Sequence, residues 1–307
     1  MSPLRVQLAD YLAVRRALGY RLDGQEHLLR QFIDYLEAHD EELITIENAL
    51  AWATLPGATH RWHGTRLSAV RGFARHLRAM DLPVEVPPSD LLPEQRKRAV
   101  PYLYSDTDIA ALITQAGTLS SSHRVATFRT LIGVLAVTGM RRGEAIAVDR
   151  GDFDPMLGVI TVWHGKFDKA RELPLHPTTV AAVDGYLRRP DRPRCVTSEL
   201  ALFVGDDGRR ISPNVVNHTF RTLTRLAGLR LRSAECRPRL HDLRHTFAVR
   251  TLLDAYRSGE PTGPWVMALS TYLGHSDPSH TYWYLQAAPE LMELASDRLE
   301  RHLGERA

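Results

Sequence analysis

Apolar residues recur along the first ~80 positions at intervals of three and four, the spacing of one helical face. Val6 to Leu18 is amphipathic and stops at Gly19, a helix terminator. Glu26 to Ala38 places Leu28, Leu29, Phe32, Ile33 and Leu36 on one side. A shorter helix is predicted after Thr45, and a fourth from Thr65 to Met80. The fourth carries Leu67, Val70, Phe73, Ala74 and Leu77 on one stripe and Arg71, Arg75 and Arg78 on another, so one face suits burial and the other a polyanion. Between Asp81 and Pro101 the pattern breaks: Pro83, Pro87, Pro88, Pro93 and Pro101 cannot share a regular helix, and an extended linker carrying Arg96, Lys97 and Arg98 is expected. Periodicity resumes at Ser105, an N-cap before Ile109 to Ile113, and continues in a mostly apolar helix from Arg124 to Val137 ending at Gly139. Val159 to Trp163 and Arg171 to Leu175 have strand composition, with Gly165 to Lys169 as the turn between them. Helices follow around Thr179–Leu187, Asn214–Ala227, His241–Tyr256, Trp265–Leu273 and Pro289–His302. The fold class is therefore mainly α: an N-terminal four-helix domain over residues 1–82, a linker over 83–103, and a mostly helical α+β domain with a small antiparallel sheet over 104–307.

Composition narrows the class without assigning a function. A chain of 307 residues has room for two cores, and 44% hydrophobic with 24% charged residues is ordinary for a globular protein. No apolar run approaches ~20 residues, so no membrane-spanning helix is expected. The start, Met1-Ser2-Pro3-Leu4-Arg5, lacks the apolar core of a signal peptide. Cys195 and Cys236 have no metal-type spacing. A reduced, cytoplasmic protein is expected. Net charge of +3 is too small to identify a partner, but its distribution is uneven. Asp34 to Glu47 holds six acids and no Lys or Arg; Arg61 to Arg78 holds five arginines (Arg61, Arg66, Arg71, Arg75 and Arg78) and no acid. Arg221 to Arg250 holds eight arginines against Glu235 and Asp242. Such clusters are the footprint of phosphate contacts or, equally, of solvated helix faces.

The reactive chemistry lies in four segments: Thr138-Gly139-Met140-Arg141-Arg142-Gly143-Glu144, the lysine turn around Lys166, Leu240-His241-Asp242-Leu243-Arg244-His245-Thr246-Phe247, and Leu273-Gly274-His275 with Tyr284 nine residues beyond. Two arginines can clamp a phosphate through planar paired donors that never lose their charge. Histidines titrate near neutrality and can move protons. Of 39 Lys and Arg, three are lysines (Lys97, Lys166 and Lys169), and two of these share the turn. An ammonium can give up a proton where a guanidinium cannot. Tyr282 and Tyr284 compete as a nucleophile; on a helix they point ~200° apart, so one can face a pocket. His241 and His245 at four-residue spacing could hold a metal, but the zinc-protease pattern needs Glu where Asp242 stands.

In this order the constellation resembles the tyrosine recombinases, also called the phage-integrase family, over the whole second domain. The resemblance implies a mostly helical catalytic domain preceded by a core-binding domain, the two closing around duplex DNA. It implies six catalytic residues: Arg141 and Arg244 on the phosphate, Lys166 as acid for the 5′-hydroxyl, His241 as base, His275 on a phosphate oxygen and Tyr284 as nucleophile. Glu144 and His245 would support them. Phe167 replaces the usual glycine of the family's lysine turn, so Lys169 competes with Lys166. Arg61, Arg66, Arg71, Arg75, Arg78, Arg96, Lys97, Arg98 and Lys169 become expected DNA contacts, with no metal and no cofactor. The implied reaction is metal-free transesterification through a 3′-phosphotyrosyl link, on specific double-stranded sites. Assembly as a tetramer on DNA, alone or with related recombinases, is implied too, with no membrane partner. The segment from Pro289 to His302 would be exchanged between protomers. The chain starts almost at the core-binding domain, leaving no room for an arm-binding domain, and Thr281-Tyr282-Trp283-Tyr284-Leu285 with Pro289-Glu290-Leu291 suggests a recombinase of transposons or other mobile elements. A type IB topoisomerase, which reseals the same strand, and a non-catalytic DNA-binding relative are the alternatives.

Overall fold

The computed structural model describes residues 2–20, 22–57, 60–92, 100–163, 170–194, 200–233, 235–258 and 262–275, then 277, 279, 281, 282 and 284. The chain divides into two compact units, Met1–Arg98 and Ala99–Ala307.

The first unit holds helices α1 (Pro3–Ala17), α2 (Asp23–Ala38), α3 (Ile46–Ala53) and α4 (His60–Arg78). Pro3 opens α1, where its missing N–H has no helical partner to lose. Thr45 caps α3 reciprocally with Asn48: the Thr45 hydroxyl accepts from the Asn48 N–H at 3.1 Å, and the Asn48 side chain accepts from the Thr45 N–H at 3.0 Å. The apolar stripes meet in a core of Leu12, Leu29, Phe32, Ile33, Leu36, Trp52, Val70, Phe73 and Leu77. The start of the expected linker behaves otherwise. Val84, Val86, Leu91 and Leu92 are partly buried against this core, and the Glu85 N–H donates to the Ile44 carbonyl at 2.9 Å. Prolines prevent a helix here but not the burial of the apolar residues between them.

The second unit is built on α6 (Ser122–Thr138), whose Phe128, Leu131, Ile132, Val134 and Leu135 are buried. Around it lie α5 (Asp106–Gln115), α7 (Arg142–Ala147), α8 (Pro177–Leu187), α9 (Pro213–Leu226), α10 (Asp242–Arg257) and α11 (Thr262–Leu273). Strands β1 (Phe153–Asp154), β2 (Val159–Val162) and β3 (Arg171–Pro174) form an antiparallel sheet in that order, with Ile160 opposite both Phe153 and Leu173. Helix α7 and strand β1 are absent from the periodicity reading, because six and two residues are too short to show a period. The other end of the expected linker joins this unit's core through Tyr102, which is 4% exposed. The expected C-terminal helix from Pro289 to His302 lies outside the described residues.

Candidate active site

Helix α6 ends at Gly139, with φ +59°, and the chain turns at once into α7 with Arg141 as its N-cap. Glu144 reaches back: its Oε2 accepts from the Arg141 backbone N–H at 2.7 Å, and its Oε1 from Arg141 Nη1 at 2.8 Å. Arg171, the first residue of β3, donates to the same carboxylate through Nη2 at 2.7 Å and Nη1 at 3.2 Å. Burial pushes the Glu144 carboxyl up, but the hydrogen bonds and charge of Arg171, then those of Arg141, outweigh it and hold the group below its ordinary value. The remaining Arg141 contact, from Nη2, goes to the Gly274 carbonyl at 3.0 Å.

Arg244, on the first turn of α10, is 2% exposed and donates from Nη1 to the Gly139 carbonyl at 2.8 Å and from Nη2 to the Leu273 carbonyl at 2.7 Å. It thereby ties α10 to the ends of α6 and α11. Burial, and then the charge of Arg141, lower its pKa to about 10, so it remains a cation at neutral pH. Its Nη2 is also 3.0 Å from His275 Nε2. A guanidinium only donates, so Nε2 accepts, and the proton sits on Nδ1, which donates to the Thr281 hydroxyl at 2.7 Å.

Tyr284 is 3% exposed, with its ring 5.3 Å from that of His245 and 6.0 Å from that of His275. Tyr282 is 52% exposed, as opposite helical faces require. The His241 and His245 rings are 4.7 Å apart, so the three rings form a row. His241 is the N-cap of α10 rather than a residue within it, with helical φ and ψ. Desolvation, and then the charges of Arg244, Arg239, Arg141 and Arg142, push its imidazole down to about 4. The residue is nonetheless exposed at the surface of the unit. Asp242 is fully buried and pairs with Arg239 at 2.8 Å. Among the described residues no three His, Cys, Asp or Glu side chains converge as a metal site.

The structure thus brings Arg141, Glu144, His241, Arg244, His245, His275 and Tyr284 together. Arg142 points away, donating to Asn217 at 2.6 Å. Lys166, Lys169, Arg96, Lys97, Arg98 and the Arg61 side chain lie outside the described residues. In α4, Arg75 and Arg78 are exposed, whereas Arg66 lies over the Trp52 ring at 5.3 Å. Arg71 donates to the Pro87 and Pro88 carbonyls at 2.7 and 2.6 Å, so this guanidinium fastens the proline segment to α4. The arginine-rich stretch is likewise partly structural. Arg232 stacks on Tyr102 at 4.2 Å, and Arg250 binds Asp106 and the Tyr104 carbonyl. Sequence reasoning missed Arg171 and Thr281. Arg171 had a signal: strand alternation puts it on the face of Leu173, which is buried. Thr281, also fully buried, had none.

The chain matches the Phage integrase family over residues 105–290. It is 40% identical, over the full length of both chains, to a protein of Sinorhizobium fredii (strain NBRC 101917 / NGR234) named "Putative integrase/recombinase y4rB". To the tyrosine recombinase XerC of Chlamydia pneumoniae it is 26% identical, covering 98% of this chain and 85% of that one. Its fold is similar to that of the Tn1549 transposon integrase in complex with transposon right end DNA, with a TM-score of 0.65, 18% identity and coverage of 96% and 98% of the two chains.

Proposed function

The chain belongs to the phage integrase family, and on that premise we propose that it cuts and rejoins DNA at specific sites through Tyr284. The observation that carries this reading is the buried phenol of Tyr284, set against His245 and His275 beside Arg244, while Tyr282 faces solvent. A phenol attacks phosphorus only where its charge and that of the transition state are stabilised. Arg141 and Arg244 supply that stabilisation at the nonbridging oxygens. His241, neutral at physiological pH, takes the phenolic proton. Tyr284 Oη forms a bond to phosphorus as the bond to O5′ breaks, and Lys166 protonates the departing oxygen. The product is a 3′-phosphotyrosyl link and a 5′-hydroxyl. Attack by a 5′-hydroxyl of a second duplex reverses the step and frees the tyrosine, so the bond energy is kept throughout.

His275 donates from Nε2 to a phosphate oxygen in its other tautomer, with Nδ1 then accepting from the Thr281 hydroxyl. The exposed Arg75 and Arg78 of α4 contact the DNA backbone, where guanidiniums add sequence-independent affinity. The enzyme acts as a tetramer on two duplexes, a reading supported by membership of the family, and serves a transposon or other mobile element, a reading supported by the segment around Tyr284. Covalent capture tests it. Incubation with a nicked duplex library should give wild-type protein–DNA adducts that survive denaturant, and sequencing should return a shared site. Tyr284→Phe should bind that site and form no adduct, while Tyr282→Phe should form it. The reverse pattern between the two tyrosines would exclude Tyr284 as nucleophile.

A further inference from the structure

Resting on the recombinase reading, we propose that Arg171 is a positioning residue for strand cleavage: it takes half of Glu144 and lies against Gly274, holding Arg141 in place while leaving it net positive charge for the scissile phosphate.

Three observations converge on Arg171. The Glu144 carboxylate is shared almost symmetrically, each oxygen accepting from both arginines: Oε1 from Arg141 Nη1 at 2.8 Å and Arg171 Nη1 at 3.2 Å, Oε2 from the Arg141 N–H at 2.7 Å and Arg171 Nη2 at 2.7 Å. Both side chains of the Arg171–Glu144 pair are sheltered, at 13% and 9% exposure, unlike a solvated surface ion pair. Finally, Gly274 has φ +67°, and a Cβ there would stand 3.1 Å from Arg171 Nη1, 3.3 Å from its Cζ and 3.6 Å from Arg141 Nη1. The Arg171 guanidinium therefore lies in the space a side chain at 274 would need, beside the residue directly before His275.

The electrostatic consequence follows from counting charges. One carboxylate against Arg141 alone would form a neutral pair, and the arginine would be oriented at the expense of its field. Two guanidiniums on one carboxylate leave a net positive cluster, with Arg141 still fixed by its hydrogen bonds. The charged groups bearing on Glu144 are Arg141 at the start of α7, Arg171 on β3 and Arg244 on α10; Tyr272 of α11 faces Arg171. His241, at about 4, titrates below the window in which the test is read.

The test uses full-length protein and the nicked duplex recovered by covalent capture, at saturating DNA, from about pH 5 to about pH 8. Near neutral pH, Arg171→Met should slow adduct formation on the order of 10- to 100-fold, the usual scale for misplacing a catalytic group, with DNA affinity unchanged. The deficit should narrow on acidification, because burial then favours the neutral Glu144, which no longer cancels Arg141. Adding Glu144→Gln to Arg171→Met should recover part of the rate and remove that pH dependence. Arg171→Lys, which keeps the charge but not the fork, should fall between wild type and Arg171→Met. If Arg171→Met does not fold, Arg171→Lys against Arg171→Lys/Glu144→Gln reads the same coupling. A deficit that is equal at every pH and deepened by Glu144→Gln would make Arg171 a prop of the fold and overturn the proposal. Failure of wild type to form any adduct would instead overturn the recombinase reading, and this assignment with it.

Discussion

At the scale of single residues, the proposed mechanism separates groups that stabilise charge from groups that move protons. Arg141 and Arg244 are held by backbone carbonyls and, for Arg141, by Glu144; in the proposed mechanism they act on the nonbridging oxygens, whatever the leaving group. A proton donor matters only when the departing oxygen needs one. A substrate with a 5′-bridging phosphorothiolate releases a thiolate that leaves without a proton. On it Lys166→Ala should regain most of its lost cleavage, while Arg141→Ala and Arg244→Ala stay impaired; Lys169→Ala, measured alongside, decides between the two lysines. Equal rescue of lysine and arginine variants would move the acid elsewhere, with His241 next. His241 also links stability to pH. Its folded value, about 4, lies below its ordinary 6.5, so the unfolded chain binds the proton more readily. The stabilising contribution is complete above 6.5 and is lost as pH falls through the folded value. His241→Gln should therefore flatten the fall in Tm between those two pH values. An unchanged slope would mean the ring is not perturbed as its surroundings require.

At the scale of elements, the end of α6 is the fulcrum. Gly139 lets the chain leave the helix with positive φ, offers its carbonyl to Arg244 and receives the ring of Phe247 from α10. A Cβ there would stand 2.5 Å from Phe247 Cδ1. Gly139→Ala should cost roughly 1–3 kcal/mol from overpacking and left-handed strain, and should slow cleavage by shifting Arg244. Phe247→Ala should relieve the steric part, so the double variant should be less destabilised than the sum of the singles. Strict additivity in denaturant melts would show that the contact does not couple α6 to α10. The short pieces α7 and β1 have no periodicity to read, yet they place Arg141 and frame the sheet that carries Arg171.

At the scale of the whole molecule, each unit has its own core. The first unit extends beyond its four helices through Val84, Val86, Leu91 and Leu92. A fragment of residues 1–98 should melt cooperatively, and one ending at 82 should melt lower. If the packed segment is worth ~1 kcal/mol, the difference is roughly 4–8 °C for a domain of this size. Equal melting of the two fragments would return residues 83–92 to the linker. Among the described residues no helix is long and apolar enough to cross a membrane.

The helices other than α7 were legible in the sequence, α6 as a mostly apolar run and those of the first unit as stripes, because a period of 3.6 residues sorts side chains by solvent exposure before any tertiary contact exists. The reactive segments were legible for a similar reason. A charged donor set is a local property of short motifs such as Thr138 to Glu144 and Leu240 to Phe247. What needed the tertiary structure was every assignment that depends on which partner a charge finds. Arg71 read as a DNA contact, and Arg232 and Arg250 fell in a cluster open equally to phosphate contacts or solvated faces; all three donate to backbone carbonyls, whereas Arg171 read as an ordinary strand residue and shares Glu144. A guanidinium has the same composition on a DNA-facing surface and in a buried fork. Distances of about 3 Å between residues far apart in the chain separate the two, and those distances exist only once the fold has closed.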